Sequence, residues 1–402
     1  MQRDMRQPGL ATGLSLLIPI TLSTMAIVLL APVLPQLMQE YHGVRDADYL
    51  VPIVLTMPAL CVAILSPVAG ALGDYFGRRR LLISSLVLYG IVGLAPIFLR
   101  DLTAILVSRL LVGVAEAMIM VTTTTLIGDY FSDQQRDKWL AAQTACASLS
   151  ALLFFNLGGL LGQSGWRTPF WVYSSALIML VAVLAFTWEP GRTSPAAADG
   201  GERHLHNSSW AEFPWGRMTS IVIVTIFGSV LFYTVQIQAS SGLAAHGITS
   251  PAQAGFLTSI ASLGVPFGTY VYGKLSHDRV SILLFGEFLI LGVGFLVMSF
   301  GATPTQFLIG CGINQIGAGL LLPTLLVWAM SQLRFQVRAR GTGVWQSAFA
   351  LGQFLSPIAI TWLTRMEGGL LPSFQWLGYA GLAAAVVALI LMRRPELAPA
   401  VA

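Results

Sequence analysis

The 402 residues are 55% apolar and only 10% charged, with a mean hydropathy of +0.74; soluble chains average about a quarter charged, so a water-soluble globular domain is excluded. The net charge of +4 is small, and the basic residues fall in breaks between apolar spans without forming a stripe, which excludes a nucleic-acid-binding surface. Cys61, Cys146 and Cys311 all lie inside apolar runs and read as small buried hydrophobes rather than as a disulfide framework.

Apolar segments of about 20 residues, long enough to cross hydrocarbon as helices, recur near 13–37, 48–72, 81–99, 103–127, 139–162, 168–188, 217–243, 250–273, 281–300, 304–329, 341–364 and 374–392. The pattern predicts an all-α integral membrane protein with twelve transmembrane helices. The first run is too long for the apolar region of a signal peptide, and no small-residue cleavage site follows it. Orientation follows from Lys and Arg. With the N-terminus inside, seventeen of the 22 basic residues are cytoplasmic, Arg45, Arg100, Arg167 and Arg365 lie outside, and Arg109 sits within a span. Both termini are therefore expected in the cytoplasm, and the protein in the cell (inner) membrane.

Between the second and third spans lies a polar stretch, residues 70–80, with Asp74 and three consecutive arginines, Arg78, Arg79 and Arg80. Three arginines cannot lie in hydrocarbon, so they mark a membrane face. Asp74 and Arg78 are four apart and can pair if the turn is helical, while Gly70, Gly73 and Gly77 allow close approach or a bend. The stretch reads as either an anchor or a latch between moving helices. The longest break, 189–216, is a flexible linker by composition. It divides the chain into bundles at 1–188 and 217–402. His204 and His206 in it have no third ligand nearby, so no metal site is expected. Trp210, Phe213 and Trp215 belong at headgroup level. Corresponding spans of the two halves are offset by 202 to 204 residues, a faint repeat of the parallel kind seen in transporters.

Charge inside a bilayer is expensive and asks for a role. Arg109 and Glu116, seven apart in the fourth span, share a helix face about 10 Å apart along the axis. Glu116 falls near the midplane and is the candidate proton carrier, with Arg109 as its modulator. The alternative is that both merely tie helices together. Polar and aromatic residues at midplane depth are the candidate substrate contacts: Thr21, Thr24, Ser150, Tyr233, Gln236, Asn314, Gln315 and Gln353. Such a cavity suits an uncharged, amphipathic or cationic organic molecule. An anion would want a fixed cation at that depth, and only Arg109 comes near. Pro32, Pro35, Pro323 and Pro357 are positioned to bend helices.

The residues Gly70-x-Leu72-x-Asp74-x-x-Gly77-Arg78-Arg79-x-x-Leu82 closely resemble the signature between helices two and three of the major facilitator superfamily. Arg109-x-x-x-Gly113, Gly128-Asp129-Tyr130-Phe131, Gly158-Gly159, and Gly341, Gly343, Gly352, Gln353, Phe354 and Pro357 resemble further family motifs, so the likeness runs over nearly the whole chain. It departs where Phe154 and Phe155 replace a Gly-Pro pair of family antiporters, and where Ser276-His277-Asp278-Arg279 degrades the second-half copy of the loop signature. The resemblance implies that Asp74 pairs with Arg78 and faces the start of helix eleven near Gly341 and Gly343, with Asp129 as a further partner of Arg78. Together with Gly70, Gly77 and Arg79 these would latch the halves. The family's helix order makes helix nine peripheral, and Glu287 there is expected to be interfacial or structural. The implied function is secondary transport of a small organic molecule by alternating access. Proton-coupled efflux of drug-like compounds or metabolites comes first, and an importer or facilitator of a metabolite or siderophore-like molecule second. No cofactor beyond a proton gradient and no partner beyond substrate, protons and lipid is implied, and a monomer is expected. A membrane receptor or enzyme lacks sequence support, because there is no His-Glu-x-x-His, no acidic metal cluster and no Ser/His/Asp set.

Overall fold

The computed structural model describes residues 8–189, 213–275, 280–333 and 338–391. Among these, twelve helices are long and apolar enough to cross a membrane. They are α1 Leu10–Glu40, α2 Ala47–Phe76, α3 Arg78–Ile97, α4 Leu102–Tyr130, α5 Gln134–Gly162, α6 Thr168–Phe186, α7 Trp215–Ala245, α8 Pro251–Leu275, α9 Val280–Phe300, α10 Pro304–Ser331, α11 Arg340–Glu367 and α12 Leu370–Ile390. Helices satisfy every backbone donor and acceptor internally, which hydrocarbon demands. Asp101 caps α4 by accepting from Ala104 N at 2.8 Å, as Thr303 caps α10 through Gln306 N.

Proline acts unevenly. α1 is interrupted by tight turns at Ile18–Ile20 and Ala31–Val33, each carrying a proline, Pro19 or Pro32, because a missing N–H breaks the ladder. Pro35 sits in the helical continuation Leu34–Glu40, while Pro323 and Pro357 lie inside unbroken helices. The stretch 70–80 is not the polar break its composition suggests. α2 runs to Phe76 and α3 starts at Arg78, so one residue, Gly77, makes the whole turn. Its φ of 95° is open to glycine and costly for any other residue. Glu189 then caps α3, its Oε1 and Oε2 accepting from Arg79 N and Arg80 N at 3.3 Å each.

Two large hydrophobic cores form among the described residues, one from α1–α6 with Ile237 of α7 and one from α7–α12, and a small cluster of Val62, Ala117 and Ala350 joins α2, α4 and α11. Residues 190–212 of the expected linker, with His204, His206 and Trp210, and the degraded loop 276–279 lie outside the described residues. Phe213 is buried and Trp215 is half exposed where α7 begins. The halves meet at the face opposite the three arginines. There Gly159 of α5 and Gly255 of α8 let two backbones touch: a Cβ on Gly159 would lie 2.5 Å from Pro251 O, and one on Gly255 would run into Phe155 O. Phe155 is itself fully buried, so the pair that replaces the family's Gly-Pro contributes to this contact.

The same face carries a cluster between α2 and α11. Arg365 donates from Nε to Asp48 Oδ2 at 2.6 Å, and from Nη2 to Asp48 Oδ1 at 2.6 Å and to Asp46 Oδ1 at 2.8 Å. Its guanidinium lies 4.4 Å from the Tyr49 ring centroid, and Thr361 Oγ1 donates to Asp48 O at 3.2 Å.

Candidate functional site

A cavity of about 260 Å³ lies between the halves. From the first half it is lined by Ser23 and Thr24 of α1, Ala59 and Val62 of α2, Glu116 and Met120 of α4, and Thr144, Ala147, Ser148 and Ala151 of α5. From the second half come Phe232, Tyr233 and Gln236 of α7, Ser262 and Val265 of α8, Leu322 of α10, and Gln346, Phe349, Ala350 and Gln353 of α11. The contributing helices correspond pairwise at an offset of six, so the cavity inherits the twofold organisation of the chain. None of the lining residues comes from α3, α6, α9 or α12. Along α5 and α11 the seal at Gly159 and the Arg365 cluster lie beyond the cavity, towards the opposite face. The cavity thus sits on the arginine-rich side of the seal, and Thr144 and Ser148 are exposed in it.

Glu116 is 4% exposed, makes no hydrogen bond among the described residues, and its Oε2 has no partner. It is the one charged side chain among those lining the cavity. From the second half, Tyr233 and Phe232 of the cavity wall lie with ring centroids 5.6 and 6.3 Å from Phe349, and Trp345, outside the lining, stacks on Phe349 at 5.8 Å. An acid on one half and an aromatic wall on the other can hold a flat apolar body with a positive or proton-donating group.

Arg109 does not line the cavity. It is fully buried, donating from Nε to Val54 O at 3.1 Å and from Nη2 to Ala26 O at 2.9 Å. Both carbonyls lack their helical donors. Val54 O would bond residue 58, which is a proline, and the Leu30 N–H that would reach Ala26 O turns to Ile27 O at the break in α1. Arg109 therefore fills two backbone vacancies, one left by Pro58 and one at the break in α1, with Tyr173 and Phe170 of the α6 segment under its guanidinium at 5.0 and 6.0 Å. Nε and Nη2 thereby tie α4 to α2 and α1, while Nη1 is buried without a hydrogen-bond partner among the described residues.

The other residues singled out in the sequence are divided by the structure. Thr24, Tyr233, Gln236 and Gln353 line the cavity. Thr21 and Ser150 do not: their hydroxyls bond Ile18 O and Ala147 O of their own helices at 2.8 and 2.7 Å. Asn314 and Gln315 lie behind Gln236 rather than at the cavity wall. Ser23, Thr144, Ser148 and Gln346 went unnoticed in the sequence. The spacing of Thr144, Ala147, Ser148 and Ala151 marks one helix face, and Gln346 lies two turns before Gln353. Glu287, expected to be interfacial or structural, is fully buried in the second-half core with neither carboxyl oxygen hydrogen-bonded. No group of three or more His, Cys, Asp or Glu residues among the described ones forms a metal site.

At the arginine-rich face, Arg78 binds Asp74 Oδ1 through Nε at 3.1 Å and Nη2 at 2.8 Å, and also binds Asp129. Arg79 turns away to Thr187 Oγ1 at 3.1 Å and Leu184 O at 3.1 Å, fastening α3 to the end of α6. The implied contact of Asp74 with the start of α11 is not made in this conformation. The Asp74 side chain is 63% exposed, Gly70 and Gly343 have nothing within 4 Å of an added Cβ, and Gly341 packs on Leu333 of its own half.

The Major Facilitator Superfamily model matches residues 16–357, and again 222–401. The chain belongs to this superfamily of transporters. The transporter is 26% identical over 405 residues to a class G tetracycline resistance protein of Vibrio anguillarum, covering 94% of this chain and 96% of the relative. It is 24% identical over 276 residues to multidrug resistance protein 1 of Bacillus subtilis (strain 168), covering 67% and 70%. Its fold is that of a D-xylose–proton symporter, with a TM-score of 0.78 at 16% identity over 94% of this chain and 96% of that one.

Proposed function

We propose that the transporter exports a small amphipathic organic molecule, neutral or cationic, in exchange for protons carried by Glu116. The carrying observation is that Glu116 is the one charged side chain lining the cavity between the halves. A carboxyl there can hold a proton or a substrate cation but is poorly placed to hold both, and that competition couples the two fluxes. Relatives whose names denote tetracycline and multidrug resistance support export. The excess of basic residues makes the arginine-rich face cytoplasmic, so the structure described above opens inward, in an inner membrane with both termini inside. The bundles 1–188 and 217–402 are the bodies that rock. The Arg365 cluster and the Gly159–Gly255 contact close the outer face, and the Asp74, Arg78 and Asp129 group docks on the start of α11 in the outward state. The proton gradient is the sole energy source, no cofactor takes part, and the monomer suffices.

Accumulation of a panel of fluorescent organic cations and neutral dyes, in cells with and without the protein, tests this reading. Lower accumulation that an uncoupler or Glu116→Gln abolishes is the expected result. Higher accumulation would establish import, and no effect on any probe would refute the proposal.

A further inference from the structure

One face of α11 carries Gln346, Phe349, Ala350 and Gln353, at the spacing of a single helical stripe, and all four line the cavity. Both glutamines are half-buried. Neither side-chain amide makes a hydrogen bond among the described residues, and neither has a polar atom closed off from water. Their oxygens and N–H groups are thus open on the face that looks into the cavity. Most other polar side chains of the wall are already engaged. Ser23, Thr24, Thr144 and Ser148 donate to Ile20 O, Ala147 O, Leu140 O and Thr144 O at 2.9, 3.3, 3.2 and 3.1 Å. Gln236 Nε2 donates to Gln315 Oε1 at 2.6 Å, and its own Oε1 is buried.

The two free amides are seven residues apart, which is about 10 Å along the helix axis. Side chains on one helix lean the same way, so the spacing is kept at their tips. Phe349 stands between them, with Tyr233 and Phe232 beside its ring. Val62, Ala117 and Ala350 pack together, which sets Ala350 level with the residue that follows Glu116. Glu116 therefore stands at the height of the stretch between the two glutamines, on the other half of the molecule. A carboxyl opposite an aromatic wall, with a free amide about one turn to either side of that wall, outlines the shape of a ligand.

We infer that Gln346 and Gln353 are specificity-determining residues that bind hydrogen-bonding groups at the two ends of a flat substrate. The inference rests on the proposal that this cavity takes the transported molecule. The substrate class narrows to elongated fused-ring molecules whose polar end groups lie about 10 Å apart, with a positive or proton-bearing centre between them at Glu116. An amide offers both an acceptor and donors, so each glutamine can accept from an amine or phenol or donate to a carbonyl. Glu116 serves every such molecule alike, whereas the glutamines discriminate among them by the placing of the end groups. Both amides are open to water, so each bond to substrate replaces one to water and contributes modestly.

The test uses two flat cations with the same fused-ring body and the same fixed charge. Acriflavine (3,6-diamino-10-methylacridinium) carries an amino group on each end ring, and 10-methylacridinium carries neither. Binding to the purified full-length protein in nanodiscs is read by probe fluorescence. Wild type is expected to bind acriflavine about thirtyfold tighter, the worth of two hydrogen bonds. Gln346→Leu and Gln353→Leu should each cut that preference to about fivefold, and the double variant should bind the two probes within about twofold of each other. Equal affinity of wild type for the two probes would overturn the inference while leaving the cavity reading standing. So would a preference that survives in the double variant, or one that a single substitution removes completely. Thermal melts report whether each variant is folded, and the wild-type comparison decides even where one is not. Failure of wild type to bind either probe would overturn the cavity reading and this inference with it.

Discussion

Replacing Arg109 by leucine tests the most unusual contact in the first half. The substitution keeps an apolar body but removes both donors, leaving Val54 O and Ala26 O buried and unpaired. Each orphaned buried acceptor costs about 1–3 kcal/mol, so the loss should be about 2–6 kcal/mol. The vacancy at Val54 O exists because residue 58 is a proline. Pro58→Ala supplies an N–H from within α2, and in that background Arg109→Leu should cost less by one carbonyl, about 1–3 kcal/mol. A double-mutant cycle by denaturant unfolding in mixed micelles measures the difference. Additivity within about 0.5 kcal/mol, the scatter expected of independent sites, would refute the claim that the arginine replaces the proline's missing donor.

The Arg365 cluster should bias the conformational equilibrium. Arg365→Ala is expected to lengthen the spin-label distance between Gly43 and Gly369 sites on that face, and an unchanged distance distribution would count against a gating role. Gly159→Val places a side chain against Pro251 O and should hold the same face open by the same measurement, with transport lost while the protein stays folded. Gly77→Ala should lower thermal stability by about 1–3 kcal/mol, because φ is 95° there. Glu287→Leu removes a buried carboxyl whose oxygens are unpaired and should leave stability equal or higher; a marked loss would show that Glu287 has a partner in the folded state.

Hydropathy made the twelve spans legible because the requirement it reports, a run of apolar residues across the hydrocarbon, is local. It misjudged the stretch at 70–80 because charge excludes residues from lipid, not from helices. α2 continues as a helix beyond the hydrocarbon until Gly77 turns it. Azimuth was not legible: Thr21 turns its hydroxyl to Ile18 O while Thr24, three residues on, faces the cavity. Arg109 stood out in the sequence as an intramembrane charge. Its acceptors did not, being backbone carbonyls on other helices, one freed by Pro58 and one by the break in α1. Arg365 looked like an ordinary loop-end cation, and its partners Asp46 and Asp48 lie more than 300 residues away in the chain.

The exchange claim rests on Glu116, and proton movement is its most direct readout. Purified protein in liposomes enclosing a pH-sensitive dye is given an imposed gradient of acriflavine, with the membrane voltage clamped. The account predicts that probe flux drives protons in the opposite direction with wild type, and that Glu116→Gln carries the probe without moving protons. Proton flux in step with the probe in the Glu116→Gln protein would contradict it.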